Sequence, residues 1–345
     1  MSRTAPPERP RRCDRILPVH GPRLPELDVL KAAAIVAVVL IHAIPPFWDR
    51  DATAVEQVIG HLTRFGVPAF LAVSGFLYYQ PTPIRRGQIQ RRLRRILLPY
   101  VCVSLLAFAY DTAYPGHAAT RSLAAGMLLG GTFGPYYYVV LLVQFVAVAW
   151  VLSRLPWWCP AVLLPGAAGV ALWAEVHMWM LTDPFWTARN GAVWALWFLS
   201  GWVAAAYGAT VFRVGARYRT AILLVAGVVA VGAVWAVVSQ RTGWTASRAL
   251  VLMSVLASIV FLFTAGRGAG RLPAPLVRLS DWTYAIYMLH PFFIYLVADV
   301  LVPTTGISAA RTWPIQWLAG LGGAVAATAL LRRTLGQRSR DLIGA

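Results

Sequence analysis

Apolar runs of about 17–25 residues recur along most of the chain, and short polar stretches separate them. Ten such runs stand out, at 27–44, 58–79, 96–113, 136–153, 159–180, 191–208, 220–238, 246–265, 283–301 and 314–331. Each is long enough to cross a hydrocarbon layer of ~30 Å as a helix. The expected fold is therefore all-α, a polytopic membrane helical bundle of about ten transmembrane helices. A transmembrane β-barrel would need short strands of alternating polarity, which the chain lacks. Loops are short and no soluble insert is long enough to fold alone. One membrane domain, 24–335, is thus expected between two cytoplasmic tails, 1–23 and 336–345. The first tail is rich in Pro and Arg, a composition that favours disorder. It does not read as a cleavable signal, because the apolar run is long and no A-x-A site follows it. Arg121–Gly131 is apolar but too short to cross, and reads as re-entrant or interfacial.

Composition strengthens this picture. Of 345 residues, 59% are hydrophobic and 13% are charged, against about 25% charged in soluble domains. Heavy use of Ala, Val, Arg and Trp fits a GC-rich bacterial genome. The formal charge of +18 invites a nucleic-acid reading, but its distribution argues against one. With the N-terminus placed in the cytoplasm, 24 of the 31 Lys and Arg and 6 of the 13 acids fall on the cytoplasmic side. All the net charge lies on one face, as the positive-inside rule expects. No nucleic-acid partner is expected; membrane lipids are. The expected location is the inner (plasma) membrane, with both termini cytoplasmic. Cys13, Cys102 and Cys159 are far apart, so neither a disulfide framework nor a metal site is indicated. There is no phosphate-binding Walker loop.

Four segments carry candidate chemistry, each with a structural alternative. His42 ends the first run, eleven residues (about three turns) after Lys31 and on the same helical face, and Asp28 is one turn before Lys31. Ionisable groups at membrane depth usually face a bundle interior or cavity, and imidazole suits proton transfer; the alternative is an interfacial histidine bonded to a carbonyl. Phe65–Phe76 contains Pro68, which opens a helix locally, and Ser74-Gly75, which permits close helix approach; a kinked packing helix is the alternative. Arg92 and Arg95, at i and i+3, offer neighbouring guanidinium forks to phosphate oxygens, or else set topology. Tyr287 and His290 share a face, and Pro291 frees the Tyr287 carbonyl; interhelical bonding would explain them equally. His61, Asp111, Glu175, His177 and Asp299 read as interfacial groups, and Trp194 and Trp197 as interfacial or packing aromatics.

Together, in this order, these segments resemble the integral-membrane acyltransferase 3 family. The likeness lies in Leu27-Asp28-Val29-Leu30-Lys31 with its following histidine and in Val67-Pro68-Ala69-Phe70 with Ser74-Gly75-Phe76. It continues in Arg92-x-x-Arg95 leading to Pro99-Tyr100, and in Tyr284-x-x-Tyr287-x-x-His290. It spans about residues 24–335. Lys31 stands where Arg is usual, Thr283 where Ser is usual, and Tyr136-Tyr137-Tyr138-Val139 replaces a W-F motif. The resemblance implies transfer of an acyl group, often acetyl, from acyl-CoA to a hydroxyl of a sugar, polysaccharide or glycosylated or lipid-linked acceptor. No tightly bound cofactor is implied, only acyl-CoA as co-substrate. His42 matches the catalytic histidine. Arg92, Arg95 and Lys31 match acyl-CoA binding, with Asp28, Ser74, Tyr287 and His290 in support. Two other readings are open at this point: a transporter or flippase for a glycan or lipid intermediate, which also uses buried titratable groups, and a scaffold. Counted from Leu27 and Trp282, His42 lies about 10 Å further along its helix than His290. The count therefore expects two separate positions rather than one centre.

Overall fold

The computed structural model describes residues 23–45, 52–120, 122–178, 183–239, 244–267, 271–305 and 312–344. Among these the chain is helical throughout, with no strand. Eight helical stretches are long and apolar enough to cross a membrane. A ninth becomes possible where Pro184–Ala206 and Gly208–Arg217 meet at an 88° bend. They coincide with the last nine runs of the sequence reading. The 1–22 portion of the expected N-terminal tail lies outside the described residues.

The first run is the exception. Helix α1 (Pro25–Ala43) is 19 residues long but opens with Glu26, Asp28 and Lys31, too charged a start for a lipid-facing span. It is tolerated because α1 is wrapped by protein. Glu26 and Asp28 are both buried. Around α1 pack α3 (Gly66–Tyr78), α12 (Trp244–Arg267), α13 (Ala274–Asp281), α14 (Thr283–Leu296) and α15 (Trp313–Leu335). Its small residues Ala34 and Ala37 and its branched Ile35, Val38 and Val39 are buried. Such residues let neighbouring helices approach closely, which stands in for the hydrophobic effect inside lipid.

Helix α2 (Ala54–Thr63) starts at Thr53 with a capping box: Glu56 N–H donates to the Thr53 hydroxyl, and Thr53 N–H to Glu56. The break between α2 and α3 falls at Arg64-Phe65. Pro68 itself lies in the first turn of α3, where the missing N–H removes no helical bond. Gly75 fulfils the expected close approach. A Cβ there would strike the Phe198 carbonyl, and one at Gly201 would strike the Ala72 carbonyl, so α3 and α9 (Gly191–Ala206) touch backbone to backbone.

Helix α4 (Arg86–Ala113) carries the arginine cluster at its start. Its Tyr100 hydroxyl donates to the Met127 carbonyl at 2.6 Å, fixing the short α5 (Leu123–Leu129). Helices α6 (Tyr137–Leu152), α7 (Cys159–Trp173) and α8 (Pro184–Arg189) follow. Arg189 is buried, and its guanidinium donates to the carbonyls of Leu129, Gly130 and Phe185, capping α5. Helix α10 (Gly208–Arg217) is the short arm of the 88° bend. Helix α11 (Arg219–Val238) pairs with α12. In the expected C-terminal tail, α16 (Ser339–Ile343) packs back on α4 with Ile343 buried.

Candidate active site

Proline chemistry sets the first piece. Pro291 has no N–H, so the Tyr287 carbonyl one turn earlier loses its helical donor. The His290 ring fills the vacancy: its Nδ1–H donates to Tyr287 O at 2.8 Å, with Ile286 O at 3.3 Å. Near the end of α1 the His42 Nδ1–H donates to Val38 O at 2.6 Å. A carbonyl can only accept, so Nδ1 carries the proton in both rings. In the neutral ring that leaves Nε2 as the basic atom. Neither Nε2 has a partner among the described residues, and that of His290 is fully buried. The two ring centroids are 5.3 Å apart.

The rings therefore form one centre, contrary to the offset expected by counting. The count failed in its starting points. Asp28, on α1, receives the Ser280 hydroxyl at 2.5 Å, so α1 begins level with the end of α13. From that contact His42 is about 21 Å along and His290 about 15 Å. The remaining ~6 Å is within reach of two side chains.

Tyrosines pack between His290 and the basic start of α4. The Tyr287 ring is 5.9 Å from His290 and 5.4 Å from Tyr138, which is 6.2 Å from Phe70. The Tyr287 hydroxyl donates to the Pro135 carbonyl, and the Tyr136 hydroxyl to Met288 O at 2.7 Å. These two bonds clamp α14 to the turn that replaces the W-F motif. Ser74 lies beside the Tyr138 hydroxyl. At the cluster end of α4, the Arg92 guanidinium stacks 4.3 Å from the Tyr78 ring centroid. Among the described residues its buried Nη1 has no hydrogen-bond partner. Arg95 is exposed, so the two arginines of the motif differ: one turns in and one turns out.

Lys31 sits about three turns, and Asp28 about four, before His42. Asp28 is bonded by Arg23 and Ser280 and lies 3.2 Å from Lys31 Nζ. Hydrogen bonds to Asp28 and Asp281 hold the Arg23 guanidinium above its ordinary pKa. Asp28 is thus a hub that joins α1 to α13, and Lys31 is half-buried beside it.

Sequence reasoning left one group unused. Glu175, buried in a π-helical segment (Ala174–Met178), is 2.7 Å from Arg64 and 3.3 Å from Arg248. The available signal was an acid and two arginines in apolar runs at similar depth, since such charges seek one another inside a membrane. Just past the end of α14, His117 Nε2 is 2.8 Å from Asp299, which also receives the Tyr110 hydroxyl at 2.8 Å.

Residues 24–333 match the family model described as "Acyltransferase domain". A curated relative from Bacillus subtilis (strain 168), named "Putative membrane-bound acyltransferase YfiQ", is 21% identical over 306 residues, covering 79% of this chain and 82% of the relative. No solved structure matches the chain.

Proposed function

The chain belongs to this acyltransferase family, and from that premise we propose that it is an O-acyltransferase moving an acyl group, acetyl above all, from acyl-CoA to a sugar hydroxyl. The acceptor is a sugar, a polysaccharide or a glycosylated or lipid-linked molecule. The protein works as a multi-pass protein of the inner membrane with both termini cytoplasmic. The observation that carries this reading is the paired imidazoles, each offering an unpartnered Nε2 inside a membrane bundle.

In this reading the phosphates of CoA sit at the arginine-rich start of α4. The orphan Arg92 Nη1 provides a charge-assisted donor, and exposed Arg91, Arg94 and Arg95 add attractive field. The pantetheine arm passes along Tyr78, Tyr138 and Tyr287 toward the histidines. His42 Nε2 takes the proton of the acceptor hydroxyl as the oxygen attacks the thioester carbonyl. The C–S bond breaks, the ester forms, and the imidazolium returns its proton to the departing CoA thiolate. His290, fully buried beside His42, supplies a second neutral imidazole next to the first. Asp28 and Lys31 brace α1 at the basic face.

The test is thiol release from acetyl-CoA by purified protein in lipid nanodiscs, with and without added glycoside acceptors. Acceptor-dependent release is expected, and His42→Ala should lower it by at least 100-fold, within the usual span of general-base effects of about 10²–10⁴. Arg92→Gln should raise KM for acetyl-CoA more than Arg95→Gln does. Unchanged turnover in folded His42→Ala protein would refute the assigned role.

A further inference from the structure

Beside the α2–α3 break lies a cavity of about 70 Å³, room for roughly five waters. Arg64 and Glu175 form its charged end, and Trp194, Trp197 and Pro68 contribute to the rest of its wall. A buried carboxylate bridging arginines from the α2–α3 break and from α12 is costly at membrane depth and marks a functional site by default. Three observations point to a ligand. Both arginines contact Glu175 through Oε1, which leaves Oε2 able to accept from a hydroxyl. Glu175 stands in a π-helical segment, a local irregularity that recurs at functional sites. Indole walls beside a polar end give a ring with one apolar face and hydroxyl edges what it needs: stacking on the faces and hydrogen bonds at the rim. A purely aliphatic occupant would leave the charged end unused.

The start of α3 connects the cavity to the part of α1 that carries Val38. Arg64 and Pro68, in its wall, flank Gly66. A Cβ at Gly66 would meet Val38 Cγ2 at 2.7 Å, and Val38 supplies the carbonyl that holds His42. One helical turn of α3 thus separates the cavity from the support of the His42 ring. Glu175 and Trp194 belong to the ends of their helices remote from the arginine cluster of α4.

We propose that this cavity is the acceptor subsite, taking a hydroxylated pyranose-like ring that stacks on Trp194, donates to Glu175 and enters from the membrane face opposite the arginine-rich one. The inference rests on the transferase reading but is tested by binding, without an acyl donor. Wild-type protein in nanodiscs is titrated with the octyl β-glycosides of glucose, galactose and mannose, and with octyl triethylene glycol ether, which has the same tail and no ring. At least one glycoside should bind tenfold or more tightly than the ether. Glu175→Gln and Trp194→Leu should each weaken that glycoside at least tenfold and leave the ether unchanged. Trp194→Leu guards against a folding defect in the first variant, because the Trp194 indole N–H bonds only the Ala188 carbonyl. Equal binding of glycosides and ether, or glycoside binding that survives both substitutions, would overturn the subsite. Glycoside binding by wild type without any thiol release from acetyl-CoA would support the subsite and sink the transferase reading instead.

Discussion

Two histidine sites contact the same helix and its extension, and they are built differently. Toward the middle of α14, His290 meets His42, and both rings are oriented by backbone carbonyls. Nine residues later, about 13 Å along the axis, Asp299 binds His117, which is stacked on Tyr295 with centroids 4.1 Å apart. There the carboxylate is partly exposed, and its contact with His117 staples the segment after α14 to the 114–120 stretch. Deeper in the bundle a bare carboxylate would be costly, so a carbonyl freed by Pro291 takes over the orienting task. The same ring thus has two uses. His117 is held by a carboxylate and a stacked tyrosine ring. The deep pair is held by neutral groups, which leaves basic nitrogens uncommitted.

That contrast can be broken by exchange of function. His290→Ala should cut acetyl transfer by roughly 10–100-fold, less than loss of His42 but within the range of proton-transfer partners, with the helical content unchanged by circular dichroism. An activity near wild type would reduce His290 to packing. His117→Gln or Asp299→Asn should change transfer by less than about threefold. Each should lower the midpoint of thermal unfolding by a few degrees, as loss of one hydrogen bond of about 0.5–1.5 kcal/mol does. A collapse of activity in Asp299→Asn with stability intact would move the chemistry to the His117–Asp299 pair and reverse the assignment.

Much of the fold was legible because the apolar runs are long and their period is dictated by bilayer thickness. The runs after the first correspond to described helices. The first run was legible as a helix, but its charged start could not be priced from sequence alone, since that depends on five surrounding helices. At the site, His42 and His290 stood out as ionisable groups in apolar runs. Their closeness did not, because depth was counted from Leu27 and Trp282, whereas the helices are aligned through Asp28 and Ser280. Local chemistry was read more reliably than distance. Pro291 announced a freed Tyr287 carbonyl, and the structure shows the donor that fills it. Pro68 announced a backbone opening, which instead falls at Arg64-Phe65. Glu175 was visible as an acid near a helix end, yet its arginine partners come from helices 111 and 73 residues away in the chain. Pairings of that kind are not written in any local pattern.

The central claim is that backbone carbonyls hold the His42 and His290 rings as paired bases with Nε2 unprotonated. Nitrogen-15 NMR of histidine-labelled protein in nanodiscs at neutral pH, assigned by single His42→Gln and His290→Gln variants, measures this directly. Two neutral rings protonated at Nδ1, each perturbed when the other is replaced, are expected. Protonation at Nε2 in either ring, or two rings indifferent to each other's removal, would contradict it.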